Sequence, residues 1–213
     1  MGGVPCNPTP VPVPNLPPAT ALVAGNGHTC ALLADATVSC WGENSSGQLG
    51  NGSAGASVPS PAAVPGLTGV TALAAGGSHT CALLSAGTVE CWGGGGNGQL
   101  GNGATSDSAT PVAVSTLTGV TAISSSPALQ GDTTCALLGG GTVSCWGLND
   151  GYQLGNGATT NAPSPQAVPG VPGATAISAG ANGTCARRSD GTLRCWGDVG
   201  LGITAQTPAP VLQ

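Results

Sequence analysis

Apolar and polar residues follow one another along this chain in short runs, and the same succession of runs returns four times. In the second occurrence the runs are Val70–Ala74, His79–Leu84, Thr88–Trp92 and Thr110–Val114. The first three hold β-branched and apolar residues between Gly- and Ser-rich breaks, the pattern of short strands. No segment sustains a helical period with a cap, and 38 Gly and 18 Pro would interrupt most helices. Each unit is therefore predicted to be four antiparallel strands, and the chain to be all-β.

Cysteines mark the period. Cys30, Cys81, Cys135 and Cys185 are separated by 51, 54 and 50 residues. Each has a partner ten positions later, at Cys40, Cys91, Cys145 and Cys195, and a tryptophan follows at once: Trp41, Trp92, Trp146 and Trp196. A repeat near 50 residues is too long for a helical pair and suits a four-stranded propeller blade. The units are expected at about 19–68, 69–118, 119–172 and 173–213, after a proline-rich segment, 1–18.

The cysteine spacing follows from the hairpin. With Ser85-Ala86-Gly87 as a three-residue loop whose glycine is left-handed, Leu84 faces Thr88 and Cys81 faces Cys91. Pairs alternate back from the turn, and the cysteines fall on a non-hydrogen-bonded site, where Cα atoms stand about 4.5 Å apart. A disulfide spans that distance. Gly141 and Gly191 permit the same turn for Cys135 with Cys145 and Cys185 with Cys195. For Cys30 with Cys40 the glycine is replaced by Ala36, which predicts a strained turn or another type. The alternative, reduced and buried thiols in a cytosolic protein, stays open. Zinc sites use close pairs, and no C-x-x-C occurs.

The N-terminal prolines form a strand of their own. Thr9-Pro-Val-Pro-Val-Pro-Asn-Leu16 aligns without gaps to Thr110-Pro-Val-Ala-Val-Ser-Thr-Leu117, so it reads as an extra outer strand whose three inner strands are missing. Proline fits an edge strand. The segment is cut from a longer propeller, closes the ring, or adds to an edge of a neighbouring molecule. Cys6, the ninth cysteine, has no counterpart in any repeat, which suggests an intermolecular bond or a free thiol. Cys6, Val11 and Val13 are thus the candidate intermolecular residues.

Charge narrows the classes of function. Only 5% of residues are charged, with net charge −5, and the sole cations besides His are Arg187, Arg188 and Arg194. Nucleic-acid binding wants a clustered basic face, so no nucleic-acid partner is expected. No apolar run is long enough to span a membrane as a helix. Paired cysteines point to an oxidising compartment, secreted or cell-surface. No signal peptide is visible at Met1-Gly2-Gly3, which implies a removed leader or a piece of something longer.

No residue stands out as catalytic, and no cofactor or metal is expected. His28 and His79 recur at one repeat position, which favours packing at a strand end. Asp35 and Asp190 are turn residues. Glu43, Asp150 and Asp198 follow the tryptophans and would gather on one face, where they either bind a cation or basic partner or are merely solvated. Gly47-Gln-Leu-Gly-Asn-Gly52 recurs at Gly98–Gly103 and, with Tyr152, at Gly151–Gly157. Without a following Gly-Lys-Ser or helix it is turn chemistry rather than a phosphate cradle. The four tryptophans are expected to pack blades, Trp92 sharing a face with Leu84 while Cys81, Leu83, Val89 and Cys91 take the other.

The string G-G-S-H-T-C-A-L-L-S-A-G-T-V-E-C-W-G-x-x-x-x-G-Q-L-G-N-G resembles the repeat of the regulator of chromosome condensation family, and the resemblance covers residues 9–212. It implies a β-propeller, commonly of seven blades. Members act as exchange factors on small GTPases, chromatin binders or interaction platforms, and a secreted bacterial branch resembles propeller-type β-lactamase inhibitors. No residue of the exchange factors' sites is matched. The function expected is a non-enzymatic extracellular protein-binding or scaffold module. The alternatives are a subunit that self-assembles into a filament or surface layer through its N-terminal strand, and an inhibitor of a secreted enzyme.

Overall fold

A computed structural model of the protein describes residues 9–128, 132–199 and 204–211. Cys6, and with it the question of its partner, lies outside the described residues, as does most of the degenerate turn at 200–204. Within them sixteen strands form four antiparallel four-stranded sheets, each in plain chain order. The first sheet holds β1 (Ala19–Ala24), β2 (His28–Leu33), β3 (Val38–Asn44) and β4 (Gly55–Ala63). The second holds β5 (Val70–Ala75), β6 (His79–Leu84), β7 (Val89–Gly93) and β8 (Ser108–Ala113). The third holds β9 (Val120–Ser125), β10 (Thr133–Leu138), β11 (Val143–Gly147) and β12 (Ala162–Ala167). The last holds β13 (Ala174–Ala179), β14 (Gly183–Arg188), β15 (Leu193–Asp198) and β16 (Thr204–Pro210). β1, β5, β9 and β13 contact one another in succession. They are the inner strands of four propeller blades, and β4, β8, β12 and β16 are the outer ones. The second unit's fourth strand starts and ends earlier than its apolar run suggests, at Ser108 and Ala113.

The central hairpin has the predicted register. Leu84 N donates to Thr88 O at 2.9 Å, and the ladder continues Leu83↔Val89, Ala82↔Glu90, Cys81↔Cys91. Each cysteine pair is joined with its Cα atoms 4.1 Å apart. Ala36 does not change the turn type: it takes φ +63°, close to the +73° of Gly87, and Leu33 N donates to Thr37 O as in the other hairpins. Strain at a non-glycine left-handed residue costs about 1 kcal/mol, and Asp35 offsets it. Its Oδ1 accepts from Thr37 N at 3.1 Å and from Thr37 Oγ1 at 2.6 Å. These bonds hold the Asp35 carboxyl below its ordinary range.

Side chains fill the spaces between blades by one formula. Between the first and second blades lie Cys30, Leu32, Val38, Cys40, Leu49, Val64 and Leu67, with Val70, Ala82 and Trp92 facing them. Between the second and third, Cys81, Leu83, Val89, Cys91, Leu100, Val114 and Leu117 meet Val120, Ala136 and Trp146. Thus the two sides of one sheet serve two different cores. Trp92, with Leu84, joins the core behind, and Cys81, Leu83, Val89 and Cys91 join the core ahead. This alternation follows from the two-residue period of a strand.

The N-terminal strand takes no place in these sheets. Residues 10–13 have no strand conformation, because each sheet already has an outer strand of its own. The turn after them is nonetheless the usual one. Asn15 has φ +59°, matching Gly66, Thr116 and Gly170 at +76°, +54° and +76° in the links that enter the other blades.

Candidate interaction surface

Each blade grips the next through its Gly-Gln-Leu-Gly turn. The Trp92 indole Nε1 donates to the main-chain oxygen of Gln48 at 3.0 Å, Trp146 to Gln99 at 2.9 Å and Trp196 to Gln153 at 2.8 Å. A threonine hydroxyl of the receiving blade adds a second bond, Thr80 Oγ1 to Gln48 O at 3.0 Å and Thr184 Oγ1 to Gln153 O at 3.3 Å. The glutamine side chain folds back and shapes the turn: Gln48 Oε1 accepts from Ser46 N, Gln99 Oε1 from Asn97 N and Gln153 Oε1 from Gly151 N. The leucine that follows is fully buried in the core, at Leu49, Leu100 and Leu154. The indole lies so close to the last glycine that a Cβ on Gly50 or Gly101 would come within 2.7 Å of its nitrogen. Only glycine serves there, at φ +67° in both.

The histidines are part of this joint. His28 Nε2 lies 2.9 Å from Thr80 Oγ1, and His79 Nε2 lies 2.7 Å from Thr134 Oγ1, each in the following blade. Thr80 spends its hydroxyl proton on Gln48 O, so His28 Nε2 must be the donor, and Nδ1 carries the bare lone pair. Neither Nδ1 has a partner. Burial lowers the pKa of His28 to about 4 and that of His79 to about 3. Both are neutral linchpins between blades, with no carboxylate or thiol in hydrogen-bonding contact.

The acids do not form a common site. Asp150 and Asp198 line one shallow groove with Tyr152, Gln153, Asn182 and Thr204. Glu43 does not line it, and accepts instead from Ser45 Oγ at 3.0 Å. Among the described residues no three His, Cys, Asp or Glu come together as metal ligands would, and no helix is long and apolar enough to cross a membrane. Arg187, Arg188 and Arg194 all fall in the fourth blade, and Arg188 pairs with Asp190 at 2.8 Å.

Trp41 departs from its counterparts. It is half-buried and belongs to none of the three cores, whereas Trp92, Trp146 and Trp196 are fully buried. It packs at none of the three described joints between blades. Val11 is 59% exposed, Val13 42% and Leu22 63%, whereas their second-repeat counterparts Val112, Val114 and Leu73 lie against a core. Trp41, Val11, Val13 and Leu22 are thus apolar side chains outside the three described cores.

A profile of the Regulator of chromosome condensation (RCC1) repeat matches residues 35–83, 86–127 and 140–187, and a second of the same description matches 19–48 and 70–99. The chain belongs to this family. The Arabidopsis thaliana ultraviolet-B receptor UVR8 is 36% identical to the RCC1-repeat chain over 199 residues, covering 87% of the chain and 44% of the receptor. Human E3 ubiquitin-protein ligase HERC2 is 32% identical over 83% of the chain but only 4% of the ligase. Human WBSCR16 superposes with TM-score 0.78 at 22% identity, over 92% of the chain and 53% of that structure. Prp20p of Saccharomyces cerevisiae superposes at 0.75 with 22% identity, over 94% and 52%. At that identity the likeness is one of fold. The chain spans about half or less of these relatives' length.

Composition and spacing exposed the cysteines and tryptophans as markers but not the latch between them. Gln48, Gln99 and Gln153 act through main-chain oxygens and one side-chain fold-back, which a residue list does not reveal. Their recurrence beside an invariant Leu-Gly within the chain was the available signal.

Proposed function

We propose that the chain is a non-enzymatic protein-binding or scaffold module that works in an oxidising, extracellular setting. One observation carries this: Val11, Val13 and Leu22 stand exposed, and Trp41, unlike its three counterparts, belongs to none of the described cores. Exposed apolar surface, where contiguous, marks interaction sites. Four disulfides among four blades support the setting. Relatives supply precedent for protein partners: yeast RCC1 (Prp20) has been solved with Kap60 bound, and Prp20p is described by its binding to Gsp1p and histones. With three Arg and no Lys, the partner is a protein rather than a nucleic acid.

The test is a double substitution, Val13→Asp with Leu22→Asp, at two exposed positions. Partners captured from extracellular fluid by the wild-type chain should be lost by the variant, and partners retained in full would refute this reading. Alkylation and mass spectrometry of the natural protein should find the eight repeat cysteines oxidised.

A second reading is favoured by the N-terminal strand: self-assembly of copies into a filament or surface layer. Thr9-Pro-Val-Pro-Val13 differs from Thr207-Pro-Ala-Pro-Val211 at one position only. Concentration-dependent growth in size, seen by light scattering, separates this from a monomeric binder.

A further inference from the structure

Three Asn-x-Ser/Thr triplets without a central proline occur in the chain: Asn44-Ser-Ser46, Asn51-Gly-Ser53 and Asn182-Gly-Thr184. Such a triplet is the signal for attaching a sugar to the asparagine amide, and it is used from surface turns of exported proteins. The chemistry needs two groups at once. One is a carboxamide nitrogen not engaged elsewhere, and the other is a hydroxyl two residues on that reaches the same carboxamide. The fold treats the three triplets differently.

Asn44 is 1% exposed. Its Nδ2 donates to Ser53 O at 3.0 Å and its Oδ1 accepts from Leu49 N at 3.2 Å. Asn149 makes the same two bonds in the third blade, to Ala158 O and from Leu154 N, so this position is a brace for the turn. Asn182 is exposed, but the hydroxyl of its triplet is committed. Thr184 is 1% exposed and donates to Gln153 O at 3.3 Å, within the latch between the third and fourth blades.

Asn51 has both groups. Its Oδ1 accepts from Ser53 N at 3.1 Å and from Ser53 Oγ at 2.8 Å, which closes a turn over Gly52. Its side-chain bonds among the described residues are all to Oδ1, so Nδ2 is unengaged there. Gly52 and Ser53 are exposed, and a Cβ on Gly52 would meet nothing within 4 Å.

The turn itself belongs to the repeat. Asn102 Oδ1 accepts from Ala104 N at 3.0 Å and Asn156 Oδ1 from Ala158 N at 3.1 Å. Gly52 N, Gly103 N and Gly157 N each donate to the outer strand of the next blade, at Ala109, Pro163 and Gln206. Asn102, flanked by a blade on either side, is half-buried as Asn51 is. The accessibility of Asn51 is therefore that of an internal turn. Of these three turns only the first has a hydroxyl at its third position, Ser53 against Ala104 and Ala158. A carboxamide nitrogen is a poor nucleophile, because its lone pair is shared with the carbonyl. A hydroxyl donated to the amide oxygen draws charge onto that oxygen and makes an N–H proton easier to lose. At Asn51 the fold holds that arrangement ready.

We propose that Asn51 is a glycan acceptor, charged from a lipid-linked glycosyl diphosphate on the export route. Asn51 Nδ2 forms a bond to the anomeric carbon, and the bond from that carbon to the diphosphate oxygen breaks. The lipid diphosphate leaves with the electron pair, and one amide proton passes to a base of the transferase. The proposal rests on the extracellular reading above, since such donors serve exported chains. A hydrated glycan on this open turn would also add solubility to a surface of which few residues are charged, 5% of the chain.

The experiment uses the full-length protein as its source makes it, alkylated without reduction and digested. Peptide N-glycanase in heavy-oxygen water marks each occupied asparagine as a labelled aspartate, read by peptide mass spectrometry. Label at Asn51, with none at Asn44 or Asn182, is the expected result. A bare Asn51, or label at either other asparagine, overturns the assignment. The same digest reports the eight repeat cysteines. A bare Asn51 with those cysteines oxidised sinks the acceptor site alone, whereas free thiols sink the extracellular reading as well. Variants secreted by cells that carry such a transferase test the geometry. Ser53→Ala should lose the glycan and Ser53→Thr keep it, each with four disulfides intact. Ala104→Ser should gain a glycan at Asn102, because it supplies the hydroxyl to an equivalent turn. No gain there would show that the turn does not qualify the site.

Discussion

Trp92 donates its indole proton to the main-chain oxygen of Gln48, 44 residues earlier, at 3.0 Å. The bond joins the ring of one blade to the turn of the blade before, and buried indole N–H groups rarely go without such a partner. Gly50 sits against the same ring. Replacing Gly50 by Ala adds a methyl within contact distance of the indole as well as strain at positive φ. Gly66 provides the control, since its φ is +76° with nothing within 4 Å of an added Cβ. Urea unfolding under non-reducing conditions should show Gly66→Ala destabilised by about 1 kcal/mol and Gly50→Ala by roughly 3 kcal/mol. Equal losses would remove the ring contact from the account.

Each disulfide joins residues ten apart in sequence. In the loop-entropy description each stabilises by about 2–3 kcal/mol. The chain has no Phe, one Tyr and four Trp, and each described core holds one Trp among Val, Leu, Ala and Cys. Paired Cys81→Ala and Cys91→Ala should therefore lower the thermal midpoint by several degrees, and full reduction should unfold the chain at moderate temperature. Calorimetry with and without reductant checks both.

Acid should unfold the protein through its histidines. His79 is held near pKa 3 and His28 near 4 by burial, against 6.5 in the open chain. Their folded-state pKa values are depressed, so below pH 6.5 the unfolded chain takes up protons that the native chain refuses. Stability is full above that pH and declines as pH falls toward 4. The slope is up to about 1.4 kcal/mol per pH unit for each histidine. His79→Gln should flatten the profile between pH 6 and 4, with denaturant midpoints at several pH values as the readout.

The fold was legible because the repeat is written in residues with few alternatives. Cys, Trp and Gly at fixed offsets dictate a hairpin, a bulky ring after it and a tight turn, and Cys81 opposite Cys91 followed from counting alone. Ala36 shows the limit of such counting. Identity predicts strain, but Asp35 and Thr37 supply bonds that let the left-handed turn persist. The N-terminal strand shows another limit. Residues 9–16 carry the strand's sequence, yet a strand is a property of its neighbours, and none of the four sheets has a place for it. The difference between Trp41 and Trp92 lies in no local residue. It comes from the presence of a preceding blade, which spacing within a repeat does not encode.

The same difference gives the sharpest measurement. Trp92, Trp146 and Trp196 are fully buried and hydrogen-bonded across a joint, whereas Trp41 is half-buried outside every core. Trp92→Ala should cost about 3–5 kcal/mol, the range for emptying a core of an aromatic side chain. Trp41→Ala should cost the isolated chain about 1 kcal/mol or less, because little packing is lost. Acrylamide should quench one tryptophan in four, and that fraction should vanish in Trp41→Ala. If Trp41 is covered at high protein concentration, the quenchable fraction of the wild type should fall there too. A wild-type chain with all four rings equally quenched would show that the joints between blades open in solution, and would remove the physical basis for treating the first blade's face as special.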